Sequence, residues 1–304
     1  MGIFSFGNKN SAADADLLNK KIMEMTRTDY RLEHTDRLRD MILNSIDADL
    51  FRINVKKLAP VWQSDFKPLI PLFLWSAKTG LMDLHWDIHC PQCNGLTSHH
   101  HDMEHLTSQD HCPRCNMDFE CTMDGGVEVS FSINSNVRKI KTPDPMSIPN
   151  EPANQRLNGF EVINSPIFRK FFSKDLLSEK ESLKVQHVTV MFTDLKGSTK
   201  MYQDLGDPKA FKVVKDHFEV VENVIHAHNG VIVKTIGDAI MASYGRTSEA
   251  IEAAIAIQKE FNAFNEKLKL NDGISLRIGI HVGPALVVTL NNRLDYFGTM
   301  VNVA

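Results

Sequence analysis

The sequence predicts an α+β protein of two domains. Its 304 residues suit two domains, and a stretch with four prolines and few apolar residues, 141–154, separates two halves of different character. The second half alternates strand and helix patterns, whereas the first half is largely helical and holds all five cysteines. We therefore assign residues 1–140 to an N-terminal domain, 141–184 to a linker with one connecting helix, and 185–304 to a second domain.

Composition and charge exclude several classes of protein. The formal net charge is −4 with both signs mixed along the chain, so we expect no nucleic-acid partner. The longest apolar run, Leu69–Trp75, is broken by Pro71 and is far too short to span a membrane. No basic segment leads into an apolar segment at the N-terminus, so no signal peptide is predicted. These features predict a cytoplasmic protein without a membrane span.

Hydrophobic periodicity in the first half predicts three helices and a strand. The helices cover Leu17–Met25, Tyr30–Ile46 and Pro68–Lys78. Apolar residues alternate over Val127–Ile133, which is typical of a strand. The apolar residues of Phe160–Lys184 suggest the connecting helix.

Two cysteine pairs predict a metal site in the N-terminal domain. Cys90 and Cys93 form one CxxC motif, and Cys112 and Cys115 form the second after a gap of eighteen residues. This spacing suits one structural Zn²⁺ per chain in a tetrahedral zinc ribbon, with no coordination position left for a substrate. Disulfides are the alternative, and a cytosolic location disfavours them.

The fifth cysteine and the histidines between the two CxxC motifs are predicted to bind no metal. Cys121 is expected to be a small buried or edge residue. The histidines lie in a polar stretch, and we expect surface side chains there rather than a second metal site. They are His99, His100, His101, His105 and His111.

The second domain opens with a strand that ends in a carboxylate. The apolar run Val188–Phe192 predicts a strand buried on both faces, with Asp194 at its tip. Gly197 then opens a helix that runs from Ser198 to about Leu205. A divalent cation prefers such a carboxylate, and the N–H groups of a helix N-terminus attract polyphosphates. An ordinary strand–turn–helix corner is the alternative.

The sequence GVIVKTIGDAIMASYG predicts a hairpin with its turn at Gly237–Asp238. Strict alternation would place Ile232, Lys234 and Ile236 on one face. A lysine between two isoleucines suggests a ligand contact, with a lysine at the sheet edge as the alternative. Asp238 would bring a second carboxylate to the metal site of Asp194.

The order of elements predicts the fold of the second domain. A helix precedes the hairpin and another follows it, then a strand over Leu276–Val282 closes at Gly283–Pro284, and a helix carrying Asn302 begins after Gly298. This is the ferredoxin-like βαββαβ arrangement, with helices on one face of the sheet. The uncovered face argues for a dimer.

Four segments of this domain resemble the class III adenylate cyclase catalytic domain. They are TDLKGST, VKTIGDAIMA, GIHVGPA and DYFGTMVNVA, and the resemblance covers about residues 185–304. The segment Phe73–Ile133 resembles an uncharacterised domain that precedes the catalytic domain in some bacterial cyclases.

The resemblance implies a role for each matching residue. Two catalytic domains of that family form a homodimer and share each active site across the interface. By position, Asp194 and Asp238, with the Leu195 carbonyl, would hold two Mg²⁺ or Mn²⁺ ions. The backbone at Gly197, Ser198 and Thr199 would cradle the phosphates, Lys234 and Asp295 would read the purine, and Asn302 would orient the ribose.

The purine-reading pair predicts the substrate. Adenine offers an acceptor at N1 and a donor at its amino group, which match the donor Lys234 and the acceptor Asp295. Guanine presents the reverse pattern. We therefore expect an adenylate cyclase that converts ATP to 3′,5′-cyclic AMP and pyrophosphate. The alternative is a catalytically silent cyclase-like scaffold whose zinc module binds a partner.

One departure from the family concerns the C-terminus. The family has an arginine four positions after the asparagine, and this position falls two residues beyond Ala304. We therefore expect the catalytic domain to be incomplete at its C-terminal end, which puts the activity of this chain in question.

Overall fold

The computed structural model describes residues 12–27, 32–143, 151–268 and 274–304. The chain divides into two compact units. The first unit comprises residues 1–163, 167–184 and 291–293, and the second comprises 164–166, 185–290 and 294–304.

The first unit opens with helices. They are α1 (Ala15–Thr26), α2 (Thr35–Asn44), a 3₁₀ helix (Asp47–Leu50), α3 (Val55–Val61) and α4 (Leu69–Lys78). Capping side chains fix where α1 and α3 begin. The Asp14 carboxylate accepts a hydrogen bond from the Leu17 N–H at 2.9 Å, and the Asn54 side chain accepts from N–H groups in the first turn of α3.

The three predicted N-terminal helices correspond to α1, α2 and α4. The prediction for Tyr30–Ile46 began too early, because α2 starts at Thr35, and Tyr30 itself lies outside the described residues. α3 was not predicted because it has only two turns and carries Pro60 in its interior.

Two small antiparallel sheets follow in the first unit. Their strands are β1 (Met82–His89), β2 (Leu96–His100), β3 (Gln109–Cys112), β4 (Met117–Glu120) and β5 (Val127–Ile133). One sheet has the order β2-β1-β5, and β3 pairs with β4. Trp86, Phe73 and Phe131 are fully buried around the larger sheet, and the strand predicted over Val127–Ile133 is confirmed.

The segment between the predicted domains differs from expectation. Two short helices, α5 (Gly159–Ile163) and α6 (Pro166–Phe171), replace the single connecting helix. Pro166 explains the break, since proline disfavours the helical conformation at the residue before it. Residues 151–163 and 167–184 belong to the first unit, and part of the predicted linker, 144–150, lies outside the described residues.

The second unit alternates strands and helices. Its elements are β6 (Leu183–Lys196), α7 (Ser198–Leu205), α8 (Asp207–Ala227), β7 (Val231–Ile236), β8 (Ala239–Tyr244), α9 (Thr247–Leu268), β9 (Ser275–Leu290), β10 (Arg293–Phe297) and α10 (Thr299–Val303).

The five strands form one sheet in the order β10-β9-β6-β8-β7. In chain order, β6, α8, β7, β8, α9 and β9 give the predicted βαββαβ layout. Strand β10 adds a fifth strand next to β9. Both helices pack on one face, where Met191, Tyr244 and Ile257 are buried in a common core. The predicted mixed α/β architecture, with helices covering one sheet face, is therefore present.

Strand β9 is longer than predicted. It continues through Gly283–Pro284 to Leu290. Proline is compatible with extended backbone, and its only cost to the sheet is one missing backbone N–H donor. The turn after it places Asn291 and Asn292 at φ of 51° and 57°, which is typical of a tight hairpin. The sequence Asn-Asp-Gly at 271–273 predicts a turn, and these residues lie outside the described part of the chain.

Candidate active site and metal centre

Two carboxylates meet at one end of neighbouring strands. Thr193 of β6 pairs with Ile240 of β8, so Asp194 follows the last paired residue at the end of the sheet where the β7–β8 turn lies. Asp238 lies in that turn, which Gly237 closes with φ of 62°. The Asp238 Oδ2 atom is buried and has no hydrogen-bond partner among the described residues. A cation would satisfy this orphaned oxygen, so the donor set fits a hard divalent ion.

The turn that is predicted to face phosphates lies directly after Asp194. Leu195 is buried, and Gly197 takes the left-handed conformation with φ of 78°, which glycine adopts without strain. α7 then begins at Ser198, followed by Thr199. The first N–H groups of a helix lack intrahelical partners. A Cβ built on Gly197 would meet nothing within 4 Å, so open space lies above this turn.

Lys234 and Asp295 form a direct ion pair between their Nζ and Oδ2 atoms. Asp295 lies on β10 and is buried, and its Oδ1 accepts from the Tyr296 N–H at 2.8 Å. The ammonium group is partly exposed. The lysine therefore supplies donors and the aspartate supplies acceptors at one place.

The predicted shared face of Ile232, Lys234 and Ile236 is wrong. Ile232 pairs with Ala242, but Lys234 pairs with Met241, so Val233 is an extra residue in β7. This bulge turns Ile232 toward the helix-covered core, and Lys234 and Ile236 lie on the opposite face. A bulge depends on the partner strand, and alternation within one segment does not reveal it.

Asn302 lies on α10 and is exposed. The helix starts after Gly298, whose φ of 145° favours glycine. The structure thus places Asn302 five residues after β10, on an element that leaves its amide accessible.

His217 is a buried neighbour of the candidate site that the sequence did not reveal. It lies on α8, and its ring lies against the backbone of Val214 and Asp238. Burial lowers the pKa of this imidazole, while contacts with the Val214 and Asp238 backbone oppose the shift. Only the packing of α8 against the β7–β8 turn brings His217 to Asp238.

The four predicted zinc ligands converge in the first unit. The Sγ atoms of Cys90 and Cys115 are 3.9 Å apart, and those of Cys93 and Cys112 are 3.7 Å apart. A Zn–S distance of about 2.3 Å in a tetrahedron places sulfurs about 3.8 Å from one another. None of the five cysteines forms a disulfide. The residues therefore fit a tetrahedral thiolate site.

Each cysteine pair is shaped by the asparagine that follows it. Asn94 and Asn116 adopt left-handed conformations with φ of 56° and 50°. Asn94 donates its N–H to the Cys90 carbonyl at 2.9 Å, and the Cys115 N–H donates to the Cys112 sulfur at 3.3 Å. Local backbone geometry thus preorganises the cluster. Cys121 lies outside it and is fully buried, as predicted.

The predicted surface position is confirmed for His101, His105 and His111, whereas His99 and His100 are half-buried. His105 and His111 are exposed and pair with nearby aspartates. His99, in contrast, is half-buried and pairs with Asp87. His101 is exposed but contacts the ring of the buried His85. Strand pairing therefore gathers part of the histidine stretch into a cluster.

Comparison with known proteins identifies the families whose models match this chain. A family model described as "Family of unknown function (DUF5939)" matches residues 18–234, more than half of the chain and including Phe73–Ile133. The chain belongs to the DUF5939 family. A second model, described as "Adenylate and Guanylate cyclase catalytic domain", matches residues 181–304. This part of the DUF5939 chain is therefore similar to adenylate and guanylate cyclase catalytic domains.

Curated relatives agree with the second match. An adenylate cyclase of Anabaena cylindrica is 34% identical over 131 residues, which cover 39% of this chain and 26% of that protein. Adenylate cyclase 1 of Rhizobium meliloti is 30% identical over 132 residues, covering 39% and 20%. The chain thus spans about a quarter or less of the length of these relatives. Guanylate cyclase 2G of mouse is 27% identical over 158 residues, covering 47% and 14%.

Among solved structures, the adenylyl cyclase CyaB from P. aeruginosa is similar at 22% identity and a TM-score of 0.38, covering 41% of this chain and 71% of that one. Among the residues that the structure describes, none of the helices combines the length and the apolar character that a membrane span needs.

Proposed function

We propose that this DUF5939 protein is an adenylate cyclase that converts ATP to 3′,5′-cyclic AMP and pyrophosphate. The observation that carries the proposal is the ion pair of Lys234 and Asp295 in a catalytic domain of the cyclase kind. The identities to adenylate cyclases support the same choice of base.

The ion pair would read the base by its hydrogen-bonding pattern. With the pair preformed, Lys234 would donate to adenine N1, and Asp295 would accept from the adenine amino group. Guanine would place a donor against the lysine and an acceptor against the aspartate. Because Asp295 is buried, an acceptor of guanine placed against its carboxylate would make that mismatch costly.

Asp194, Asp238 and the Leu195 carbonyl would hold two Mg²⁺ or Mn²⁺ ions. The orphaned Asp238 Oδ2 atom supports this assignment. Bound there, the ions would supply charge that acidifies the ribose 3′-hydroxyl and stabilises the leaving pyrophosphate.

Other residues of the chain would orient the nucleotide. The turn at Gly197, Ser198 and Thr199 would bind the phosphates through backbone N–H groups at the start of α7. The exposed amide of Asn302 would hold the ribose. Orientation of this kind places the 3′-oxygen in line with the α-phosphate.

A homodimer would complete each site. Three large apolar side chains beside the site residues are exposed: Ile236 at 52%, Phe297 at 63% and Val303 at 64%. They lie close in sequence to Asp238, Asp295 and Asn302. Exposed apolar surface next to functional residues is typical of an interface, and a second copy of this chain would cover it.

The Cys90, Cys93, Cys112 and Cys115 cluster would bind one structural Zn²⁺ per chain. The sulfur separations near 3.8 Å support this assignment. With four thiolate ligands the ion would stabilise the fold and leave no position for substrate.

The test is a cyclase assay of the purified full-length protein with ATP or GTP and either Mg²⁺ or Mn²⁺. We expect cyclic AMP from ATP, little product from GTP, and a loss of at least about 100-fold in Asp238→Asn. Lys215→Gln, an exposed change on α8, is the control. Preference for GTP would refute the base assignment, and no product from either nucleotide would favour the silent scaffold.

A further inference from the structure

Three histidines and an aspartate share one face of the first unit's sheet. Asp87 of β1 pairs directly with His99 of β2, and the same antiparallel register places His101 opposite His85. Since side chains alternate along a strand, His85 and Asp87 point to the same face, as do His99 and His101. Strand pairing thus brings together residues that lie up to sixteen positions apart in the sequence.

The three imidazole rings surround a common point. Their centroids are 5.2 Å apart for His85 and His99, 5.3 Å for His85 and His101, and 4.8 Å for His99 and His101. One ring nitrogen from each residue lies within 4.8 Å of the other two. A tetrahedral ion with bonds of about 2.0 Å needs nitrogens about 3.3 Å apart, so small side-chain rotations would close the site.

Hydrogen bonds assign the nitrogens that face this point. The His99 Nδ1 atom is 2.8 Å from the Asp87 carboxylate, which leaves Nε2 as the ligand atom. The His85 Nε2 atom is 2.8 Å from the Ser132 hydroxyl, which leaves Nδ1. That Nδ1 atom is buried and has no hydrogen-bond partner among the described residues. A buried, unpartnered nitrogen in such a cluster is itself an indication of a ligand.

The electrostatic setting tolerates a cation. His85 is buried, and the Arg52 guanidinium lies near its ring. Arg52 pairs with Asp87, and Glu128 is a second carboxylate close to that guanidinium. These three charged groups sum to about −1, so two carboxylates offset the single guanidinium beside the histidines.

We propose that His85, His99 and His101 form a second metal site, which binds one divalent transition-metal ion, Zn²⁺ foremost. Three imidazoles are a donor set that suits zinc and its neighbours in the first row, and Asp87 serves as the outer partner of His99. Unlike the four-cysteine cluster, this site keeps an open fourth position for water or another donor. His101 also lines a cleft of about 480 Å³ that gives such a donor a route of entry.

The site differs from the four-cysteine cluster in a way that can be measured. Metal per chain is determined by mass spectrometry after equilibration of the full-length protein with Zn²⁺ and removal of unbound ions. We expect two zinc ions in the unchanged protein and one in His101→Ala or His99→Ala. His101 is exposed, so its variant should keep the fold, as circular dichroism would verify.

Two surface histidines provide matched controls. His105→Ala and His111→Ala alter exposed rings that pair with local aspartates and lie outside the three-histidine cluster, so both variants should retain two zinc ions. In protein given one zinc ion per chain, which the four thiolates should take up, added Co²⁺ should give ligand-field absorption without thiolate charge-transfer bands, and His101→Ala should weaken Co²⁺ binding at least about tenfold. Uptake of Zn²⁺ and Co²⁺ that is unchanged in both His99→Ala and His101→Ala would overturn the proposal.

The outcome is independent of the catalytic proposal and of the cysteine cluster. If the cysteines bind no zinc, we expect one zinc ion per chain in the unchanged protein and none in His101→Ala. A count of one that survives His101→Ala assigns the ion to the cysteines alone and rejects the histidine site.

Discussion

Lys234 and Asp295 form an ion pair although they lie on the two opposite edge strands of the five-stranded sheet. Lys234 lies on β7, the outermost strand on one side, and Asp295 lies on β10, the outermost on the other. The contact requires the sheet to curl until the two edges approach across the face without helices, where the β7 bulge places Lys234. The 16-residue strand β9, which reaches past Pro284, carries β10 to that position.

The Lys234–Asp295 ion pair predicts how the preference for ATP or GTP changes when donor and acceptor are exchanged. In Lys234→Glu with Asp295→Cys, an acceptor replaces the donor and a thiol replaces the buried carboxylate, which suits guanine better than adenine. We expect activity with ATP to fall at least about tenfold and the ratio of GTP to ATP use to rise by a similar factor. Steady-state rates of both cyclic nucleotides in the full-length protein measure this.

The single change Lys234→Glu is the control for this exchange, because it places two carboxylates together and should impair both substrates. A double variant that keeps the unchanged protein's preference for ATP would mean that other residues select the base.

The proposed homodimer predicts complementation between two inactive variants. If each site takes its metal carboxylates from one subunit and its base-reading pair from the other, Asp194→Ala mixed with Lys234→Ala should regain activity. A heterodimer of these variants has one intact site, so a statistical mixture would recover about a quarter of the unchanged rate. The assay is cyclic AMP production after subunit exchange.

A mixture of Asp194→Ala with Asp238→Ala is the matched control, since both changes damage the same half of a site and no intact site can form. Recovery in neither mixture, in samples with proven subunit exchange, would place each complete site within one chain.

The cysteine cluster predicts that zinc stabilises the first unit. Cys112→Ser should lower zinc content by about one ion per chain and reduce the stability of this unit by several kcal/mol, because site formation contributes on the order of 10 kcal/mol. Elemental analysis and thermal unfolding test this. Cys121→Ala, a buried cysteine outside the cluster, should keep the zinc. Unchanged zinc in Cys112→Ser would contradict the assignment.

A half-buried carboxyl, that of Asp175, predicts a pH dependence of the first unit's stability. Burial raises the pKa of Asp175 to about 6, although its Oδ1 accepts the Met103 N–H at 2.7 Å. The folded chain therefore holds this proton more tightly than the unfolded chain, whose carboxyl titrates near 4. This group's contribution to stability is complete below about pH 4 and is lost as the pH rises to about 6, by on the order of 2 kcal/mol.

Asp175→Asn keeps the acceptor for Met103 and removes this titration. Relative to the unchanged protein, the variant should gain stability between pH 4 and 6, as urea unfolding at a series of pH values would measure. Glu104→Gln, on an exposed neighbouring position, should leave the profile unchanged. Parallel profiles for Asp175→Asn and the unchanged protein would show that Asp175 titrates normally.

The amino-acid sequence by itself determined the features that depend on local geometry. The two CxxC pairs, the turn at Gly197 and the turn at Gly237–Asp238 are set by a few adjacent residues, and the structure brings the four cysteines together. The βαββαβ order of the second unit followed from periodicity, because apolar spacing reflects the period of each element.

Only the tertiary structure decided which distant side chains meet. The bulge at Val233 places Lys234 on the face without helices, the register of β1 and β2 joins His85 to His99 and His101, and helix packing brings His217 to Asp238. Each of these depends on pairing between segments far apart in the chain. Because a shift of one residue in register moves a side chain to the opposite face, periodicity within one segment could not decide them.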